Sequence, residues 1–109
     1  GRMQSGRPSS RMMNAMVTIK CLAMFEVGEI VITQGANSEL SQKDVLRGLM
    51  RHLSGDWGDL DEHDWKENDA ALEYGFRLLS QYQLDGGSKF WIITEHDRSV
   101  TTILLPSEY

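Results

Sequence analysis

The hydrophobic pattern of this chain changes period along its length. Phe25 and Val27 lead into Ile30, Val31 and Ile32, which predicts a strand over about 27–33. Gly35 and Asn37 read as the turn that closes it. A weaker extended segment precedes it at about 15–24, carried by Met16, Val17 and Ile19. Val45, Leu46, Leu49, Met50 and Leu53 then recur at helical spacing, so residues 42–53 form a helix with one buried face. Ser41 and Asp44 stand at the spacing of a capping box, and Gly55 is the stop. A second helix starts at Asp61, where Leu60 and Trp65 occupy the positions of a hydrophobic staple. Its narrow apolar face is Trp65, Ala71 and Leu72, and it ends before Gly75.

The tail returns to short periods. Phe76, Leu78, Tyr82 and Leu84 alternate with Arg77, Gln81 and Gln83, a half-buried strand over 76–84. Asp85-Gly86-Gly87-Ser88 is a hairpin turn. Strands at 89–95 and 100–105 follow, separated by a turn at 96–99 and ended by Pro106. Strand, helix, helix and a three-strand antiparallel meander predict an α+β fold with the helices packed on one face of an antiparallel sheet. In the meander, Phe90, Ile92 and Thr94 share one face, and Trp91 and Ile93 the other.

Charge divides the chain into two parts. Arg2, Arg7, Arg11 and Lys20 make residues 1–24 a +4 segment, leaving seven cations against sixteen acids in the remainder, a net −9. Residues 1–23 read as a basic N-terminal arm or extension, and 24–109 as a single α+β domain. Eight carboxylates fall between Asp56 and Glu73 with Lys66 as the only cation among them. So acidic a body repels phosphate backbones, which excludes nucleic acid as the expected partner. No apolar run reaches the ~20 residues of a membrane helix, and the polar N-terminus lacks the form of a signal peptide. With Cys21 as the single cysteine, the expected setting is the cytoplasm.

Three constellations offer chemistry. His52, Asp56, Asp59, Asp61, Glu62 and His63 could supply carboxylate and imidazole ligands to a metal, but their spacing matches no ligand signature, and helix capping accounts for the acids. Glu95-His96-Asp97-Arg98-Ser99 contains a histidine, an acid and a serine without a glycine-rich elbow, and Arg98 is expected to pair with a carboxylate such as Glu95. Trp57, between Gly55 and Gly58, either plugs the edge of the core or waits for a partner. Asn68 falls on the inward face of its helix, where its amide needs hydrogen-bond partners; the expected one is the 55–60 loop. The expectation is therefore no catalytic residue, cofactor or metal. Trp57, Asp56, Asp59, Glu62, Glu95, Asp97 and Arg98 form the candidate partner-binding surface. The alternative is a small metal-assisted hydrolase or nuclease using His52 and the 56–64 acids.

HLSGDWGDL at 52–60, Glu67-Asn68, and FWIITEHDRSVTTILLPSEY at 90–109 resemble a family of small bacterial proteins carried on plasmids and other mobile elements. Some members bear a type I restriction subunit label. The resemblance covers about 24–109 and implies an accessory protein of the mobile gene pool. The element order also looks like that of the small ribosome-dependent toxin ribonucleases, although the body lacks the basic surface they use to grip RNA. A protein-binding module is thus the expected role, with a homodimer through residues 15–24, since an apolar extended segment invites strand pairing.

Overall fold

A computed structural model describes residues 23–109. The basic arm, Cys21 and nearly all of the 15–24 segment lie outside the described residues. The chain runs β1 (Glu29–Ile32), α1 (Gln34–Glu39), α2 (Gln42–Leu53), α3 (Glu62–Tyr74), β2 (Leu78–Gln83), β3 (Lys89–Thr94), β4 (Val100–Leu104) and a 3₁₀ turn at Pro106–Glu108. It is the α+β fold expected, with helices preceding a three-strand meander. No helix among the described residues is long and apolar enough to cross a membrane.

Two details differ from the expectation. The turn signal at Gly35 and Asn37 is instead helix α1, because Thr33 Oγ1 caps it by accepting from the Ala36 N–H at 3.3 Å. Glu108 reinforces that end, accepting from Thr33 Oγ1 at 2.5 Å and the Gly35 N–H at 2.9 Å. The sheet is also mixed rather than antiparallel. Its order is β1-β4-β3-β2, with β1 parallel to β4 and the other pairs antiparallel. The three helices carry the chain across the sheet, so β1 ends beside the last strand of the meander.

The meander register follows from its alternation. Leu78, Ser80 and Tyr82 of β2 oppose Thr94, Ile92 and Phe90 of β3, and Thr101 and Ile103 of β4 continue the row. All eight are buried beneath the helices. α1 packs on β4, α2 on β3 and α3 on β2. Gly48 lets α2 approach closely, since a Cβ there would lie 2.7 Å from Phe90 Cζ. Helix ends match their sequence signals. Ser41 Oγ accepts from the Asp44 N–H at 3.1 Å, Asp61 Oδ1 accepts from the Asp64 N–H at 2.8 Å, and Gly75 closes α3 with a left-handed φ of 79°.

Candidate functional site

Trp57 is fully buried, so it does not stand out as a partner-binding anchor. Its ring packs tilted at 6.4 Å from Phe25 and edge-on at 5.6 Å from His52, and its Nε1–H donates to Asp69 Oδ1 at 2.8 Å. Its loop is fixed from both sides. Asp56 takes a two-pronged ion pair from Arg51 at 2.8 and 3.2 Å and accepts from the Gly58 N–H at 3.1 Å. The pairing with Arg51 holds the Asp56 carboxyl below the usual carboxylate range. Gly58 has φ +80° and lies so close to β2 that a Cβ would sit 2.0 Å from Gln81 O. Of this part of the candidate surface, Asp59 and Glu62 remain exposed.

His52 is not available to a metal either. It is fully buried, with Nδ1 at 2.6 Å from Ser80 Oγ and Nε2 at 2.9 Å from Thr94 Oγ1. Thr94 Oγ1 is in turn 2.8 Å from Thr101 Oγ1, which donates to the Val27 carbonyl at 2.8 Å. That carbonyl can only accept, which fixes the donors as far as His52 Nε2–H, and the burial that keeps the imidazole neutral fixes the last, from Ser80 to Nδ1. Thr101 gives its proton to Val27, Thr94 donates to Thr101, His52 Nε2–H donates to Thr94, and Ser80 donates to His52 Nδ1. The histidine is therefore the neutral Nε2–H tautomer. Burial, with Arg98 as a lesser cause, pushes its pKa down to about 3. Histidine next to serine has the look of a nucleophile and base, yet both side chains are fully buried. Ser80 and Thr94 were not singled out from sequence; their signal was a hydroxyl at an inward strand position, which needs a polar partner.

Asn68 is inward and buried, but its partner is β2 rather than the 55–60 loop. Nδ2 donates to Leu79 O at 2.5 Å and Oδ1 accepts from the Leu79 N–H at 3.2 Å. The side-chain amide thus mimics the next strand. Two residues on, the Gln81 N–H donates to Trp57 O at 3.1 Å, and the Asp59 N–H donates to Gln81 O at 2.6 Å. The outer edge of β2 is closed at both positions, which removes a site for unwanted strand pairing. Replacing Asn68→Leu leaves the Leu79 N–H and C=O unpaired, at about 1–3 kcal/mol each. Native-state hydrogen exchange at Leu79 should accelerate accordingly, and unchanged protection would disprove this role for the amide.

The second cluster is also structural. Arg98 pairs with no carboxylate among the described residues, contrary to expectation. Its guanidinium donates to three carbonyls: Phe76 O at 2.7 Å, Glu95 O at 3.1 Å and Ala71 O at 3.2 Å. It thereby ties the end of α3 to the β3–β4 turn, where a cation also suits the helix dipole. Asp97 is exposed and shapes that turn by accepting from the Ser99 N–H and Oγ at 3.1 and 2.6 Å. Glu95 is half-buried and supplies carbonyl contacts. Asp61, His63 and Asp64 bring ligand atoms within 4.8 Å of one another on the surface. Asp61 and His63 belong to the six residues considered as ligands from sequence, Asp64 does not, and Asp61 Oδ1 is already engaged in the α3 cap.

A groove between α3 and β2 gathers what the polar clusters leave unused. Leu60, Ala71, Leu79 and Phe76 form its apolar surface, Asp64 and Glu67 its acidic wall, in a volume of about 530 Å³. Phe76 is 61% exposed, and neighbouring Tyr74 is 67% exposed at the end of α3. Beyond Arg77, the Tyr109 hydroxyl accepts from Nη2 at 2.6 Å, and the Tyr109 ring packs edge-on against Trp91 at 5.5 Å. No family model matches the chain, and neither a curated protein nor a solved structure matches it.

Proposed function

We propose that this chain is a non-catalytic protein-binding module, an accessory protein of bacterial mobile elements working in the cytoplasm. The observation that carries the reading is the α3–β2 groove: exposed Phe76 and Arg77 with the acidic wall of Asp64 and Glu67, and exposed Tyr74 at the end of α3. Exposed aromatics next to an arginine have the composition of binding hot spots, and the acidic wall selects a basic partner surface. The sealing of His52 and Ser80 supports the same reading, because a metal-assisted hydrolase would need that imidazole accessible. The mobile-element context rests on the resemblance at 52–60 and 90–109. The module is further proposed to associate as a homodimer through residues 15–24.

Capture from a bacterial lysate on the immobilised full chain tests this, with Phe76→Ala and Glu67→Lys versions alongside. Both residues are exposed, so neither change disturbs the core. A protein retained by the native chain and lost from both variants is the expected result. Retention by all three chains would place binding elsewhere. A rise in melting temperature with added divalent cation, abolished by His63→Ala, would instead favour the metal-assisted reading.

A further inference from the structure

The two edges of the sheet are treated differently. β2 is closed by Asn68 and the 57–59 segment, whereas β1 has no such cover among the described residues. Glu29 and Thr33 donate their N–H groups to Ser99 O and Ile103 O of the β4 side at 2.9 and 3.0 Å. By alternation, the N–H and C=O groups of Ile30 and Ile32 point away from the sheet. Beside that edge runs an apolar groove of about 370 Å³, walled by Ile30, Ile32, Leu40, Val45 and Leu46. Val31 and Ile32 are 38% and 37% exposed. An open, apolar strand edge of this kind is a site for an added strand.

We propose that the β1 edge receives residues 15–22 of a second copy of this chain as a fifth strand, which rests on the association through 15–24 proposed above. One face of the segment is continuously apolar: Ala15, Val17, Ile19 and Cys21 share it, while Met16, Thr18, Lys20 and Leu22 share the other. Seated on β1, the first set lies with Ile30 and Ile32 against the helices, and Lys20 lies on the face of exposed Glu29. The exchange is between copies because of where the described chain begins. The Met24 N–H donates to Leu53 O at 2.9 Å at the end of α2, and Phe25 packs on His52 and Trp57, whose partners are in β2 and β3. The chain then crosses the sheet to reach β1. Residues 15–22 of the same copy would have to retrace about two to three strand spacings of ~4.8 Å first, consuming much of the segment. A second copy has no such constraint, and reciprocal seating closes a two-fold dimer.

Light scattering on the full chain, with Ile19→Pro and Ile32→Lys versions, tests the proposal. Proline removes a ladder donor, and a lysine on the edge strand blocks pairing. The native chain should scatter at twice its 12.4 kDa mass and each variant alone as a monomer. An equimolar mixture of the two variants should regain dimers, since one keeps an intact edge and the other an intact segment. That recovery also shows that both variants are folded. A dimeric Ile32→Lys chain beside a monomeric Ile19→Pro chain would overturn the β1 site while sparing association through the segment. A monomeric native chain would overturn both. Failure of the mixture to recover would refute exchange between copies.

Discussion

Trp57→Ala should destabilise the protein by about 3–5 kcal/mol, a large share of the ~5–15 kcal/mol that holds a domain of this size together. The indole fills the space between Phe25, His52, Ala71 and Leu78, and its removal also leaves Asp69 without its donor. Trp57→Phe keeps most of the ring volume and should cost less, which separates packing from the hydrogen bond. Urea unfolding of the three chains measures it. If the tryptophan were a binding anchor, alanine would leave the unfolding midpoint unchanged.

That tryptophan also shows what the sequence could and could not disclose. Elements with strong periodicity or a local cap were legible: the α2 stripe from Val45 to Leu53, the caps Ser41 and Asp61, and the face-sharing of Phe90, Ile92 and Thr94. Local signals decide those. The α1 helix was hidden because glycine and asparagine resemble a turn until Thr33 and Glu108 are seen to hold its end. The parallel pairing of β1 with β4 depends on the path of three helices, which no window of sequence contains. The candidate site fared similarly. Acidic residues, His52 and Arg98 announce chemistry by type, but burial and partners far along the chain assign them. His52 meets Ser80 and Thr94, residues 28 and 42 positions away, and Arg98 meets the end of α3. The groove that remains exposed, around Phe76, draws on residues read from sequence as strand and helix boundaries.

Acid should weaken the fold well above the pH at which carboxylates titrate. The folded protein keeps His52 neutral down to about pH 3, whereas in the unfolded chain the imidazole takes a proton near pH 6.5. Below pH 6.5 the unfolded state therefore binds more protons than the folded one, and stability falls as pH falls. The slope approaches about 1.4 kcal/mol per pH unit and persists until the folded state can itself accept the proton. Asp56, held below its usual range by Arg51, adds a loss in the same direction at lower pH, as does Glu108 through Thr33. The interval between about pH 6 and 4.5 thus isolates the histidine. Unfolding free energies measured across it should drop for the native chain, and a His52→Asn chain should lose that slope whatever its absolute stability. Equal slopes would assign the effect to another group.

The buried chain from Ser80 through His52, Thr94 and Thr101 to Val27 ties α2 to the sheet, and the proposed binding function leaves it closed. The most direct measurement is a long-range proton–nitrogen correlation spectrum of the imidazoles, recorded from pH 7.5 to 4.5. His52 should show a single neutral ring with its proton on Nε2, unmoved by pH, and that proton should exchange slowly with water. His63 and His96 are exposed and serve as internal comparisons. A His52 ring that titrates within this range, or that carries its proton on Nδ1 in rapid exchange, would contradict the sealed chain and return Ser80 and His52 to consideration as a reactive pair.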